Sequence, residues 1–160
     1  MTFSNLLSQN RTLIMGVLNV TPDSFSDGGE FLDAEKAVER SIQMVEEGAD
    51  IIDIGGESSR PGADPVSESE ELRRVLPVIT ALKDVINVPL SIDTFKASVA
   101  EKALDAEVQM INDISGLQGD GDMAKLAAER KVYTIIMHMK GTPKTMQANP
   151  SYDNLMIELV

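Results

Sequence analysis

The chain has 160 residues, of which 42% are hydrophobic and 25% are charged, a composition that suits one globular domain and excludes a disordered chain. Its net charge of −12 at pH 7 opposes binding to nucleic acid or to an anionic membrane surface, so neither is an expected partner. The lack of cysteine excludes disulfides and thiolate metal sites, and no apolar run approaches the roughly 20 residues of a membrane span.

In chain order, the N-terminal MTFSNLLSQNR lacks the basic start and long apolar core of a secretory signal, which predicts a cytoplasmic protein. Five buried runs then predict strands over residues 13–18, 51–54, 88–92, 108–111 and 132–137. Between the strands, apolar residues at helical spacing predict helices over residues 34–47, 67–85, 96–105 and 122–131. Asp33 is a plausible cap for the first of these helices.

A repeated strand-then-helix order predicts a parallel sheet with right-handed crossovers, either a barrel or an open doubly wound sheet. Every strand run ends at a polar residue; these are Asn19, Asp53, Asp93, Asn112 and His138. Polar groups that converge at the carboxyl ends of strands favour a (β/α)8 TIM barrel. Because a closed barrel takes about 250 residues, residues 1–160 are expected to form about the first five units of a single barrel domain. Residues 151–160 then open a fifth helix.

Two loops that follow the first two strands carry many polar groups. The stretch MGVLNVTPDSFSDGG, residues 15–29, changes from a strand into a loop of hydroxyls and carboxylates around Phe25. The stretch DIIDIGGESSRPGA, residues 50–63, places Arg60 where its guanidinium suits a phosphate or a carboxylate. An arginine in a loop is more often simply solvated, so Arg60 alone predicts little.

The third and fourth strands end in PLSIDTFK and MINDISG, which offer Asp93 and Asn112. In an isolated sequence, an aspartate or Thr94 that caps the next helix is the commoner explanation, and Asp113 could cap a turn. His138, in MHMKGTPKTMQ, is more readily explained as a structural residue or a pocket wall than as a proton carrier.

These five segments, in this order, resemble the dihydropteroate synthase family of pterin-binding TIM barrels, and the chain is identified as similar to the N-terminal portion of such an enzyme. The resemblance implies a transferase of folate biosynthesis. It would join 6-hydroxymethyl-7,8-dihydropterin diphosphate to 4-aminobenzoate, giving 7,8-dihydropteroate and diphosphate. Magnesium is the implied cofactor, and the two small molecules are the implied partners.

The resemblance also implies site residues. Asn19 would contact the magnesium-bound diphosphate, and Arg60 would assist its departure. Asp93 would bind the pterin and stabilise positive charge during the reaction. The remaining implied residues are Asp53 and Asn112 at the pterin, Ser59 and Pro61 at the second substrate, Phe25 against the aromatic amine, and Asp27 in the loop over the reacting centre.

Further site residues and the helices of the usual homodimer belong to later parts of the family's barrel. We therefore expect the 160 residues alone to bind ligand weakly and to turn over negligibly. Two alternatives stay open, a noncatalytic pterin-binding fragment and the methyltetrahydrofolate-binding barrel of a methyltransferase. The roles of Lys140 and Lys144 at the rim also stay open.

Overall fold

Five parallel strands form one sheet in sequential order. The structure, a computed structural model, describes residues 3–21, 29–58, 64–142 and 145–159. The strands are β1 (Met15–Asn19), β2 (Ile51–Gly55), β3 (Leu90–Asp93), β4 (Met110–Asp113) and β5 (Tyr133–Ile136). Right-handed crossovers between successive neighbours put every connecting helix on the same face of the sheet. A doubly wound sheet reverses its strand order and has helices on both faces, so the sequential order confirms the predicted barrel architecture.

The helices are α1 (Phe3–Leu7), α2 (Gly29–Glu46), α3 (Glu68–Leu82), α4 (Ala97–Asp105), α5 (Met123–Arg130) and α6 (Leu155–Glu158). The four predicted helices are α2 to α5, and the opening of a fifth helix is the single turn α6. The proposed cap at Asp33 is wrong, because α2 begins at Gly29 and includes Asp33. No helix in the described part of the chain is long and apolar enough to cross a membrane.

The face of the sheet toward the helices holds the main hydrophobic core. Alternate strand residues, including Leu18, Ile52, Ile54, Ile92 and Ile111, point to this face and are buried. They pack against apolar residues of the helices such as Val75, Ile79, Leu82, Val99 and Ala103. Since burial of one such side chain stabilises the fold by about 1.5–3 kcal/mol, this layer fixes the register of the strands.

The opposite, inner face of the sheet is covered at its amino-terminal end by α1, an element that the sequence analysis missed. Phe3 and Leu6 pack against Ile51 and Met110 in a second buried cluster. The Phe3 ring centroid lies 4.5 Å from that of Tyr133. The Tyr133 hydroxyl also shares a 2.9 Å hydrogen bond with the hydroxyl of Ser4. Helix α1 thus closes the amino-terminal end of the inner face.

The two edges of the sheet, β1 and β5, pair with no further strand among the described residues. Apolar side chains of these two strands are exposed, among them Val17 at 58% and Ile136 at 59%. Helix α6 is also largely exposed, with Met156 at 70% and Ile157 at 74%. These exposed surfaces have an apolar character that is typical of surfaces that pack against other groups.

We predict that Gly56→Ala destabilises the fold by about 1–3 kcal/mol, because a Cβ there would overpack the contact between the β2 end and α3. It would lie 2.8 Å from Cγ1 of Val75 and 3.0 Å from Cγ of Glu71. Urea unfolding measures the change. Gly121→Ala is the matched control, since a Cβ at Gly121 meets nothing within 4 Å. Equal stability of the two variants would contradict the prediction.

Candidate active site at the carboxyl ends of the strands

A polar layer lies across the carboxyl-terminal end of the inner face. The parallel register pairs Asn19 with Gly55, Gly55 with Asp93, and Asp93 with Asn112, so all four residues lie at one level. Asp53 lies one level lower, paired with Ser91. The structure therefore brings together four of the polar residues that the sequence predicted at strand ends.

Gly55 forms the floor between the polar side chains of this layer. A Cβ at Gly55 would lie 3.4 Å from Oδ2 of Asp93 and 3.8 Å from Oδ1 of Asn19. Because glycine has no side chain, the two side chains border, among the described residues, an open space on the inner face. A flat ligand can approach the backbone of β2 there.

Asp53 orients the amide of Asn112. The Asn112 Nδ2 donates a 2.8 Å hydrogen bond to Oδ2 of Asp53. An ionised carboxylate only accepts, so the amide nitrogen must face Asp53 and the amide oxygen is left as an acceptor for another group. Asp53 itself is 2% exposed, and its Oδ1 has no hydrogen-bond partner among the described residues.

The pKa of Asp53 is raised above its ordinary value because burial disfavours the charged form. The Ser91 hydroxyl and the Asn112 amide offset part of this rise in pKa. The Ser91 hydroxyl is near Asp53 but makes no hydrogen bond of normal geometry. The contact from the Asn112 amide has the geometry of a normal hydrogen bond.

Asp93 is a half-buried carboxylate in an acidic environment. Burial, followed by the charges of Asp53, Glu71, Asp113 and Glu57, raises the pKa of Asp93 to about 7. The Asp93 side chain makes no hydrogen bond or ion pair within the ranges that the structure describes. A carboxylate kept without a partner beside an open space is typical of a group that binds a ligand or takes part in chemistry.

Other groups take the capping roles that the isolated sequence suggested for Asp93. The first free N–H of α4, at Ala97, donates a 2.8 Å hydrogen bond to Oδ2 of Asp120. Thr94 accepts a 3.2 Å hydrogen bond from the backbone of Lys96. Asp113 does cap a turn, since it accepts hydrogen bonds from the backbone of Ser115 and Leu117. Asp93 is therefore not needed to cap a helix.

Asn19 is exposed at the end of β1, and its amide oxygen is a ligand of the type that Mg²⁺ accepts. The described residues contain no cluster of three or more acidic or histidine side chains that could hold a metal ion alone. One neutral oxygen fits an ion that keeps several waters and takes its other ligands from substrate phosphates. The donor set thus fits magnesium only as part of a complex with a phosphate ligand.

His138 and Lys140 lie beyond β5 and contact Tyr152. Nε2 of His138 is 3.0 Å from the Tyr152 hydroxyl, and Nζ of Lys140 lies 4.5 Å from the centroid of the same ring. Lys140 also forms an ion pair with Glu158 at 3.2 Å. These contacts agree with a structural role for His138.

Several predicted site residues lie outside the described residues, and their roles stay predictions. They are Phe25, Asp27, Ser59, Arg60, Pro61 and Lys144.

The sequence analysis missed a buried ionic cluster next to Asp93. Nζ of Lys96 contacts the carboxylates of both Glu57 and Glu71. Lys96 follows Asp93 by three residues and Glu57 follows β2, so their place after strand ends was a signal available in the sequence. Their proximity to Glu71 depends on how α3 packs.

We predict that Asp93→Asn stabilises the chain at pH 8 by about 2–4 kcal/mol and has little effect at pH 4. The folded state holds the Asp93 proton more tightly than the unfolded chain does, because the pKa is raised to about 7. The carboxyl group therefore costs stability as the pH rises from about 4 to 7, and the cost is constant above that range.

Urea unfolding at both pH values measures this difference. Asp122→Asn, at an exposed position before α5, is the control for the loss of one carboxylate. A stability change for Asp93→Asn that is the same at pH 4 and pH 8 would contradict the prediction.

Comparisons with known proteins agree on one family. A family model described as "Pterin binding enzyme" matches residues 15–160. The dihydropteroate synthase of Clostridium beijerinckii is 51% identical over 150 residues, which cover 94% of this chain and 53% of that protein.

Solved structures give the same result. A dihydropteroate synthase from Clostridium difficile, in the presence of pteroic acid, aligns with a TM-score of 0.85 and 49% identity over 94% of this chain and 54% of that one. The enzyme from Xanthomonas albilineans with 4-aminobenzoic acid aligns with a TM-score of 0.82 and 45% identity, over 94% and 52% of the two chains. The chain thus spans about half the length of these relatives. Since the family model matches almost all of its residues, the chain belongs to the family of pterin-binding enzymes.

Proposed function

We propose that the chain is the pterin-binding part of a dihydropteroate synthase. The protein would condense 6-hydroxymethyl-7,8-dihydropterin diphosphate with 4-aminobenzoate to form 7,8-dihydropteroate and diphosphate. The observation that carries the proposal is the Asp93 carboxylate, which has no partner among the described residues and lies beside the oriented Asn112 amide at the carboxyl end of a barrel wall. The ligands of the similar enzymes, pteroic acid and 4-aminobenzoic acid, support the same substrates.

The chemistry of a pterin suits these two side chains. Its ring edge presents N–H donors next to acceptor nitrogens, so an ionised carboxylate and an amide oxygen can accept from it while the amide nitrogen holds Asp53. Asp53 then positions Asn112 and offers little surface to the ligand, because the Asp53 side chain is almost fully buried.

In the proposed reaction, the bond between the methylene carbon and the diphosphate oxygen breaks, and its electron pair leaves with the diphosphate. The lone pair of the aromatic amine forms the new C–N bond, and the amine gives up a proton. Positive charge spreads into the pterin ring as the leaving group departs. An ionised Asp93 next to that ring stabilises the charge, which makes electrostatic stabilisation its main contribution.

Magnesium bound to the diphosphate would neutralise the charge of the leaving group, with Asn19 as a neutral oxygen ligand. Arg60 is proposed to assist the same departure, and Asp27 is proposed to act from the loop over the reacting centre. Phe25, Ser59 and Pro61 are proposed to contact the second substrate. These roles are proposals that rest on the resemblance. The cytoplasmic location is a proposal that rests on the N-terminal sequence.

We expect Asp93→Asn to weaken the binding of a dihydropterin diphosphate analogue about ten- to a hundredfold at pH 8, because it removes a charged acceptor worth about 1.5–3 kcal/mol. Affinity of the unchanged chain should fall as the pH drops below about 7, where Asp93 gains a proton, whereas the variant should respond less. Calorimetry with and without magnesium measures both effects.

Asp122→Asn serves as the control and should bind like the unchanged chain. Saturable binding that is indifferent to Asp93 would remove the main support for the proposal. Pterin binding without any effect of magnesium or of added 4-aminobenzoate would favour a noncatalytic pterin-binding role instead.

A further inference from the structure

A buried ionic cluster of Lys96, Glu57 and Glu71 joins three elements around the candidate site. Glu57 lies two residues beyond β2, Glu71 belongs to α3, and Lys96 is the residue that precedes α4. The side chains of Lys96 and Glu57 are 14% and 13% exposed, and that of Glu71 is 1% exposed. The ammonium group contacts both carboxylates and also lies 5.0 Å from the ring centroid of Phe95.

The cluster is attached to the same two strand ends that carry the site. Lys96 follows Asp93 by three residues, and Glu57 follows Gly55, the register partner of Asp93, by two. The carboxylates of Glu57 and Glu71 both act electrostatically on Asp93. Lys96 therefore forms ion pairs with two of the carboxylates that border the site.

Stability alone does not account for such a cluster. Desolvation of buried ions commonly cancels their mutual attraction, and well-packed apolar side chains often stabilise a core equally or better. One oxygen of Glu71, Oε1, is buried without a hydrogen-bond partner in the described part of the molecule. The cluster therefore costs desolvation free energy at this position, which favours an electrostatic role near the site.

We propose that Lys96 is a positioning residue that acts on Asp93 through Glu57 and Glu71. Its ammonium group balances their negative charge, so that Asp93 can be ionised at the pH at which it binds a pterin. Only the identity of the ligand rests on the proposed function. The charge balance is a property of the chain itself.

The charged groups that act on Asp93 come from each neighbouring element. Among the described residues they are Asp53 of β2, Glu57 after β2, Glu71 of α3 and Asp113 of β4, with Lys96 before α4 bound to two of them. Burial raises the pKa of Asp93 most, and four acids against one such cation raise it further in the unchanged chain. Loss of that cation should raise it further.

The test is the titration midpoint of the Asp93 side-chain carboxyl, followed by carbon-13 NMR in the ligand-free chain. Lys96→Met should raise the midpoint by about half a pH unit or more, and Glu57→Gln should lower it by a similar amount. Lys102→Met is the matched control, because Lys102 lies on α4 but is exposed and pairs with Asp105 at 3.9 Å. It should leave the midpoint unchanged.

Two variants guard against a failure to fold. Glu57→Gln keeps the pair of Lys96 with Glu71, so the buried carboxylate stays compensated. Lys96→Met combined with Glu71→Gln removes that pair as a unit and should return the midpoint close to its original value. A Lys96→Met midpoint that stays the same or falls, or a Glu57→Gln midpoint that does not fall, would overturn the proposal.

Binding of the dihydropterin diphosphate analogue against pH gives a second readout. Lys96→Met should shift the pH profile of affinity upward together with the Asp93 midpoint, whereas a merely structural role would lower affinity equally at every pH. If the midpoints respond as expected but no pterin binds, the proposed function fails and the inference about Lys96 stands. If pterin binds but the midpoints do not respond, the inference about Lys96 fails and the proposed function stands.

Discussion

The parallel, in-register pairing of five successive strands is the constraint on which the candidate site depends. It brings Asn19, Gly55, Asp93 and Asn112 to one level, although they come from positions far apart in the chain. The alternation of side chains along a strand would turn every one of them to the other face after a slip of one residue. The apolar layer under the helices prevents such a slip, so the packing that stabilises the fold also aligns the site.

Two aspartates show how differently the same side chain is used at the two ends of the sheet. Asp50, just before β2, accepts hydrogen bonds from Arg11 and from the backbone of Ile14, which lower its pKa to about 2. Its charge therefore supports folding over most of the pH range. Asp93, at the carboxyl end of the neighbouring strand, has no such partner among the described residues, and its pKa is raised to about 7. The first carboxylate serves the structure, and the second stays without a hydrogen bond or ion pair among the described residues.

The inner face divides along its length in a corresponding way. Helix α1 covers the amino-terminal end with Phe3 and Leu6, while the polar layer occupies the other end. The contact of β2 with α3 connects this face to the helix layer. Gly56 allows α3 to approach closely, and that approach lets Glu71 reach Lys96 beside the site. The helices thus contribute charge to the site as well as apolar packing to the core.

Strand and helix order, the barrel architecture and the strand-end residues Asp93 and Asn112 could be predicted from the sequence, because buried runs and the polar residues that end them are local patterns. The five-residue helix α1 was missed, since a short apolar segment has no distinct period, and α2 began earlier than its expected cap. The hydrogen bond from Asn112 to Asp53, the raised pKa of Asp93 and the contact of Lys96 with Glu71 were decided by tertiary structure alone. Each depends on burial and on distances between residues that only folding brings together, and these quantities have no local signal in the chain.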